Sequence, residues 1–140
     1  MAQSYPHKLS ETNPTPYKIR VGSHEFDLER WKHVPLEPGV EVSDFGRVRR
    51  MGELLKATIS VRSHTQTNPK PYKAVTIWLN TGDGRKQFLV SRLVATHFIP
   101  FNLDPKNTVN HINLDSTCNL VDNLEWCSLR DNIKHYYDSR

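Results

Sequence analysis

The sequence lacks the features that would assign it to a disulfide-rich, secreted or membrane class. Its 140 residues include only two cysteines, Cys118 and Cys127, which are too few for a disulfide framework and are not spaced as in a zinc knuckle. The longest mostly apolar stretch, residues 88–100, is interrupted by a serine, an arginine and a histidine. The N-terminus has no apolar core of a signal peptide. We therefore expect an intracellular protein with no membrane partner.

The net charge is small, at +4, but it is unevenly distributed. Residues 41–100 carry ten basic and four acidic side chains, whereas residues 101–140 carry four basic and six acidic ones. A basic middle suits a protein that binds a polyanion such as nucleic acid. An ordinary solvated basic surface explains the same counts equally well, so charge alone does not decide between them.

Alternating and β-branched segments in the middle of the chain predict antiparallel strands. Residues 40–50 alternate apolar and polar side chains around Ser43–Gly46, which predicts a strand, a tight turn and a returning strand. Residues 72–79 are rich in β-branched and aromatic side chains. A glycine-containing turn at 80–85 follows, and a returning strand is predicted at 86–90.

Two short helices are predicted. One covers Arg92–Phe98, with Ser91 as its N-cap and Pro100 beyond its end. The other runs from Leu129 to about Tyr137, because Ser128 opens a segment that resembles a capping box. The order in the last third of the chain is therefore strand, loop, strand and helix.

The other segments have weaker patterns. Residues 109–112 and 124–127 predict two short strands joined by a long polar loop. The first thirty residues predict an extended arm with one short strand at Tyr17–Val21, and residues 63–71 predict a polar loop. We expect the larger aromatic side chains to lie in the core, namely Trp31, Phe45, Trp78 and Phe98.

Three blocks of the sequence resemble HNH endonucleases of the phage homing type, in the order in which that family has them. The first, Val42–Val48 within residues 31–50, resembles a modular DNA-binding motif often fused to these enzymes. The second ends at Val90–Phe98 and resembles the segment before the nuclease finger. The third comprises Asn110-His111, the string Asn123-Leu-Glu-Trp126 and Asn132. The resemblance covers roughly residues 31–136.

The resemblance implies an α+β fold, in which small antiparallel sheet segments are followed by a C-terminal ββα-metal finger. It divides the chain into four parts: an N-terminal extension (1–30), a modular DNA-binding motif (31–56), a linking strand–turn–strand–helix segment (57–108) and the nuclease finger (109–140). We expect an elongated series of small modules laid along a DNA duplex.

By the same resemblance, His111 is the general base that deprotonates the attacking water. Asn110 and Asn132 hold one divalent metal, Mg²⁺ or Mn²⁺, and Asn123 fixes the finger loop so that His111 stays aimed. The residue types suit the chemistry, because histidine is a competent base at neutral pH. Hard cations take oxygen ligands and commonly use only one or two from the protein.

Several features of this site depart from the family or need a special geometry. Many relatives have Asp at the position of Asn110, so we expect weak metal binding that the scissile phosphate completes. His135, one helical turn after Asn132, is either a further ligand or a surface histidine. Adjacent strand residues point to opposite faces, so Asn110 and His111 serve one site only if the chain bends or bulges there.

DNA binding is predicted for the basic middle of the chain. Arg47 and Arg49 lie on one face if their strand alternates, and we expect both to contact DNA. The full set of candidates is Arg47, Arg49, Arg50, Lys56, Lys73, Arg85, Lys86 and Arg92.

The sequence therefore predicts a metal-dependent endonuclease that nicks one strand of double-stranded DNA. We expect a monomer or weak dimer, acting in the bacterial host cytoplasm if a phage encodes it. Two alternatives stay open: a catalytically weak DNA-binding protein that keeps the HNH fold, and a zinc-stabilised nucleic-acid module. The absence of any Cys-x-x-Cys pair counts against the second alternative.

Overall fold

The computed structural model describes residues 18–62, 72–100 and 107–138. The predicted loop at 63–71 and Tyr17 lie outside this part of the chain. The described elements are β1 (Lys18–Val21), β2 (His24–Asp27), β3 (Trp31–His33), β4 (Val40–Ser43), β5 (Val48–Arg50), β6 (Glu53–Leu54), β7 (Thr58–Arg62), β8 (Tyr72–Thr81), β9 (Gly84–Leu89), α1 (Val90–Phe98), β10 (Asn107–His111), a 3₁₀ turn (Val121–Asn123), β11 (Leu124–Ser128) and α2 (Leu129–Asp138).

The described strands form four antiparallel groups. β1 pairs with β2, and β10 pairs with β11. The order β3-β4-β5-β6 makes a four-stranded sheet, and β7-β8-β9 makes a three-stranded sheet. These sheets and the two helices give the mixed α and β architecture that the sequence predicted.

One apolar core joins three of these groups and α1. Its buried side chains come from the four-stranded sheet and the residues before it, from β8, from α1 and from β11: Val34, Val40, Val42, Val48, Ile77, Leu79, Val90, Leu93, Val94 and Leu124. Burying such side chains stabilises the fold by roughly 25 cal/mol for each Å² of apolar surface removed from water. Because the β3–β6 sheet, β8, α1 and β11 share one core, the expectation of separately packed small modules is wrong for this part of the chain.

The helix predictions are partly confirmed. α1 ends at Phe98 as predicted, but it begins at Val90, with Leu89 as an N-cap that makes no side-chain capping bond. The prediction that Ser91 caps this helix is therefore wrong. Val90 is completely buried, so β9 passes directly into the helix. In α2, the backbone N–H of Asp131 donates to Ser128 Oγ at 3.1 Å, as the capping pattern predicted.

The strand predictions at 40–50 and 72–90 are confirmed in outline by the β4–β5 and β8–β9 pairs. The sequence did not predict β2, β3, β6 or β7. β2, β3 and β6 have only two to four residues, whereas β7 alternates polar and apolar side chains and was missed. Nor is Trp78 a core residue, since 43% of it is exposed. Trp31, Phe45 and Phe98 are half-buried.

The turn Ser43–Gly46 packs against the loop that precedes β11. The backbone N–H of Val121 donates to the carbonyl of Asp44 at 2.8 Å. Gly46 has φ +83°, and a Cβ placed there would lie 2.8 Å from both Cβ and the carbonyl oxygen of Asn119. Only glycine combines this backbone conformation with so close an approach.

We expect Gly46→Ala to destabilise the protein more than Gly52→Ala. Gly52 has a similar φ, +82°, but nothing lies within 4 Å of a Cβ built there. The left-handed conformation costs about 1 kcal/mol in both variants. Gly46→Ala also forces Asn119 to move, so its total loss of unfolding free energy is roughly 2–4 kcal/mol. Urea denaturation measures both losses, and equal values would contradict the close packing.

Candidate active site

The two residues of the predicted Asn-His motif lie at the end of the β10–β11 ribbon. The pairing is regular to the last residue, with Asn110 opposite Glu125 and His111 opposite Leu124. Asn110 and His111 therefore leave β10 on opposite faces. No bulge separates them, but the chain turns immediately afterwards, where the backbone N–H of Leu114 donates to the carbonyl of His111 at 3.0 Å.

His111 is half-buried and is held by the loop. Its Nε2 lies 2.8 Å from Asn119 Oδ1. An amide oxygen only accepts hydrogen bonds, so Nε2 carries the hydrogen and Nδ1 keeps its lone pair. Burial lowers the pKa of His111, while the hydrogen bond to Asn119 and the charge of Asp115 act in the opposite direction. The neutral imidazole, with Nδ1 as its basic atom, is thus favoured.

Asn123 ties the loop to the ribbon and is completely buried. Its Oδ1 accepts from the backbone N–H of Asn113 at 2.9 Å. Its Nδ2 donates to Asn113 Oδ1 at 2.9 Å and to the carbonyl of Cys118 at 2.8 Å, and its own carbonyl accepts from the N–H of Ile112 at 2.9 Å. These bonds hold both the start and the later part of the loop after His111.

Asn110 and Asn132 are brought to the same face of the ribbon. Asn110 Nδ2 donates to Glu125 Oε1 at 2.7 Å. Asn132 Nδ2, on α2, donates at 3.1 Å to Oγ1 of Thr108, which lies two residues before Asn110 on the same face of β10. The amide nitrogens are thus engaged, and the structure gives neither Oδ1 a partner among the described residues.

These two amide oxygens suit a hard divalent cation, which prefers oxygen ligands and keeps several waters. The donor set is neutral, and within the described ranges no group of three or more His, Cys, Asp or Glu side chains is placed to hold a metal ion. The amides therefore fit a weakly held Mg²⁺ or Mn²⁺ better than a closed zinc site.

His135 hydrogen-bonds at 3.1 Å through Nε2 to the carbonyl of Ile112. Because a carbonyl only accepts, Nε2 carries the hydrogen and has no lone pair for a metal in this arrangement. The bond instead connects α2 to the residue that follows His111.

Two residues of this site were not predicted, Asn119 and Glu125. Both lie in the asparagine-rich segment, and Glu125 belongs to the string that carries the family resemblance. Sequence spacing does not show that Asn119 faces His111, because the contact depends on how the loop folds back over the ribbon.

We call the four-stranded β3–β6 sheet the first sheet. The three predicted DNA-binding arginines in or beside its strand β5 are paired with carboxylates. The side chains of Arg47 and Arg49 both lie over the ring of Trp31, 5.9 Å and 4.0 Å from its centroid, so they share a face as predicted. The ion pairs are Arg47–Glu29, Arg49–Glu41 and Arg50–Glu37. These carboxylates offset the positive charge that the sequence suggested for this segment.

The Arg50–Glu37 pair also links the two larger sheets. Glu37 Oε2 accepts from the backbone N–H of Asn80 at 2.9 Å. The pKa of Glu37 is lowered, chiefly by its hydrogen bond to Arg50. Arg50 therefore has a structural role, and the pairing of Arg47 with Glu29 crosses the predicted boundary at residue 30.

The other predicted DNA-binding residues lie closer to solvent. Arg85 lies over the ring of Trp78 at 5.1 Å, and Arg92 over the ring of Trp126 at 5.5 Å. Lys86 is 3.8 Å from the carboxylate of Asp83. Lys56 and Lys73 have exposed side chains.

Comparisons with known proteins place this site in a family. No protein-family profile matches the chain. Two curated proteins of Acanthamoeba polyphaga mimivirus are similar: "Uncharacterized HNH endonuclease L247", 36% identical over 116 residues and 79% of this chain, and "Uncharacterized HNH endonuclease L245", 32% identical over 122 residues and 83% of this chain. The chain spans 27% and 33% of their respective lengths.

A solved structure described as "DNA binding and cleavage by the HNH homing endonuclease I-HmuI" is also similar, with a TM-score of 0.61 and 27% identity. The match covers 79% of this chain and 59% of the other. The fold, the Asn-His motif and these similarities agree, and the chain belongs to the HNH endonuclease family. Within that family it is similar to the homing type.

The remaining findings concern the predicted absence of a membrane partner and the predicted bacterial host. In the part of the chain that the structure describes, no helix is long and apolar enough to cross a membrane. The curated relatives come from a virus named for an amoeba and not from a bacteriophage, so the bacterial host stays a prediction.

We expect Asn123→Ala to open the loop after His111. The change leaves buried backbone groups without partners, at about 1–3 kcal/mol each, so the unfolding free energy falls by roughly 3 kcal/mol. Amide hydrogen exchange of Ile112 and Asn113 should accelerate. Asn132→Ala is the control, because it removes one less buried hydrogen bond and costs about 1 kcal/mol. Unchanged exchange at Ile112 and Asn113 would contradict the assignment.

Proposed function

We propose that this chain is a metal-dependent DNA endonuclease that nicks one strand of a duplex, with His111 as its general base. The observation that carries the proposal is the hydrogen bond from His111 Nε2 to Asn119, because it leaves Nδ1 available to accept a proton. Membership of the HNH endonuclease family and the similarity to a DNA-cleaving homing endonuclease support it.

In the proposed reaction, His111 Nδ1 takes a proton from a water molecule as the water oxygen attacks the phosphorus. The bond from phosphorus to the 3′ oxygen breaks, and that oxygen takes a proton from solvent, which leaves 5′-phosphate and 3′-hydroxyl ends. Asn119 keeps the imidazole in the required tautomer, and Asn123 keeps the loop that carries Asn119 in place.

The amide oxygens of Asn110 and Asn132 would hold the divalent ion. When bound, Mg²⁺ or Mn²⁺ would neutralise the negative charge that develops on the phosphate and the leaving oxygen. On this proposal β10, β11 and α2 form the ββα-metal finger of the family. Because the protein ligands are neutral, the scissile phosphate completes the site.

The outer face of the β7–β9 sheet is our proposed DNA-contacting surface. Its alternation is set by Ile77 and Leu79, which point into the core. The exposed strand residues on the opposite side are Thr58, Trp78, Asn80, Arg85 and Gln87, whereas Ala74 and Thr76 on that side are buried. None of the exposed residues is acidic, and the nearest carboxylate, that of Glu37, accepts from the amide of Asn80. A two-stranded antiparallel ribbon with arginine and amide side chains suits the major groove.

The neighbouring cations would extend this surface along the phosphate backbone. Lys56 and Arg92 supply exposed positive charge beside this sheet, and each phosphate contact releases counterions. Lys73 and Lys86 are also exposed, but the strand register places them on the side of Ile77 and Leu79, so they would contact the backbone only from the edge of the sheet. Because the described residues contain one such finger, we propose that the chain acts as a monomer or weak dimer and cuts one strand per event. The relatives are about three times as long as this chain, and nuclease activity of a longer protein that contains such a chain belongs to the same proposal.

The deciding experiment incubates supercoiled plasmid with the protein and Mg²⁺ or Mn²⁺. We expect metal-dependent conversion to the nicked form, and a loss of at least a hundredfold with His111→Ala. DNA retardation without cleavage by either protein would instead favour the DNA-binding alternative, and zinc retained through purification would favour the zinc-stabilised module.

The same assay repeated across pH tests the protonation state of His111. Its pKa is lowered from 6.5 by burial, so the neutral base predominates at pH 7. The rate of nicking should be nearly constant above pH 6.5 and fall as pH drops below about 6. A profile that is flat throughout this acid range would argue against a histidine base.

We expect Arg85→Gln to weaken DNA binding more than Arg49→Gln does. Arg85 is exposed on the proposed DNA-contacting surface, whereas Arg49 is already paired with Glu41. Losing one phosphate contact should weaken affinity several-fold and reduce the slope of log K against log salt by about 1. Fluorescence anisotropy with a labelled duplex measures both. A larger loss of affinity in Arg49→Gln than in Arg85→Gln would contradict the proposed surface and indicate that the β3–β6 sheet contacts DNA.

A further inference from the structure

The carboxylate of Glu125 lies next to the neutral pair of amides. Glu125 faces Asn110 directly across the β10–β11 ribbon, and its Oε1 accepts the Asn110 amide hydrogen at 2.7 Å. Asn110 is only 4% exposed, whereas Glu125 is exposed on the ribbon surface. This is a short, charge-assisted hydrogen bond to a buried amide.

We propose that Glu125 is the positioning residue of the metal site: it orients the amide of Asn110 and supplies the negative charge that the two amide ligands lack. The inference rests on the proposed function, since it assumes that Asn110 binds the ion. It assigns to Glu125 an action through Asn110.

The orientation follows from the geometry of an amide. Nδ2 and Oδ1 leave the same carbon on opposite sides, so a bond that fixes Nδ2 on Glu125 also fixes the direction of Oδ1. The amide of Asn132 is fixed in the same way by Thr108. Two ligand oxygens are thereby presented from one face without rotation of either side chain.

The electrostatic effect follows from the sign of the neighbour. A carboxylate that accepts a hydrogen bond from the amide nitrogen pushes electron density within the amide toward Oδ1. The electrostatic potential at Oδ1 therefore becomes more negative. Asn132 has no such partner, because Thr108 is uncharged. Residues that hydrogen-bond a metal ligand typically change metal affinity 10- to 100-fold when they are mutated.

Three variants separate orientation from charge. Glu125→Gln keeps an oxygen acceptor for the Asn110 amide but removes the charge. Glu125→Ala removes both. The double variant N110D/E125Q moves the carboxylate to the ligand and lets the new glutamine amide donate back across the ribbon. Glu53→Gln, at an exposed strand in the first sheet, controls for the loss of one surface carboxylate.

The first measurement is Mn²⁺ binding without DNA. Mn²⁺ is added to the isotopically labelled protein, and the dissociation constant is taken from paramagnetic broadening of the amide signals of residues 107–132. We expect Glu125→Gln to weaken binding about tenfold and Glu125→Ala more strongly, up to about a hundredfold. N110D/E125Q should bind within a few-fold of the starting protein, or more tightly. Glu53→Gln should be unchanged.

The second measurement is plasmid nicking against Mg²⁺ concentration. Glu125→Gln should raise the half-saturating Mg²⁺ concentration by a similar factor while the rate at saturating Mg²⁺ changes little. A purely structural role for Glu125 would lower the saturated rate or the thermal midpoint without moving the Mg²⁺ dependence, and that pattern would overturn the proposal.

The outcomes distinguish this proposal from the proposed function. Broadening at the site that is equal in the starting protein and in both single Glu125 variants overturns only the role of Glu125. No site-specific broadening in any form, together with no metal-dependent nicking, overturns the metal site and the nuclease assignment together. His111→Ala should leave Mn²⁺ binding unchanged, since His111 is not one of the proposed ligands.

Discussion

The buried amide of Asn123 is the constraint on which the site depends. A strand that ends in a long polar loop has many backbone groups to satisfy, and a polar group buried without a partner costs more than a made bond gains. One side chain meets several of these demands, at Asn113 and Cys118, while its backbone receives Ile112. The loop therefore has one conformation, and it is the conformation that brings Asn119 to His111.

The N-terminal part of the chain supports the same loop from outside. The backbone bond between Val121 and Asp44 and the close approach of Gly46 to Asn119 connect the β3–β6 sheet to the loop that contacts His111. Asp44 is itself held by the backbone and guanidinium of Arg30. A segment whose sequence resembles a separate DNA-binding motif thus packs against the loop that follows His111.

Sequence patterns predicted what depends on local order. Alternation located the β4–β5 pair, β-branched content and a glycine-containing turn located the β8–β9 pair, and the segment from Ser128 to Asp131 that resembles a capping box located the start of α2. The start of α1 was misplaced because burial of Val90 in the core, which no local signal reports, outweighed the capping preference of Ser91. From the sequence alone, Arg47 and Arg50 count as unpaired positive charges, because their partners Glu29 and Glu37 are distant in sequence. Asn119 and Glu125 were missed for the same reason, since each acquires its role through a contact across the ribbon or the loop.

The continuous core has a consequence for recombination between homologous genes. Val34, Leu79, Val94 and Leu124 belong to one packed cluster, so a crossover near residue 56 or 108 would join halves whose apolar surfaces were shaped by different partners. Mismatched packing of this kind typically costs a few kcal/mol, a large part of the stability of a small domain. Chimeras that exchange residues 31–56 alone would therefore have a poorly packed core. An exchange that keeps the fold stable must transfer the turn Ser43–Gly46 together with the loop after His111 against which it packs.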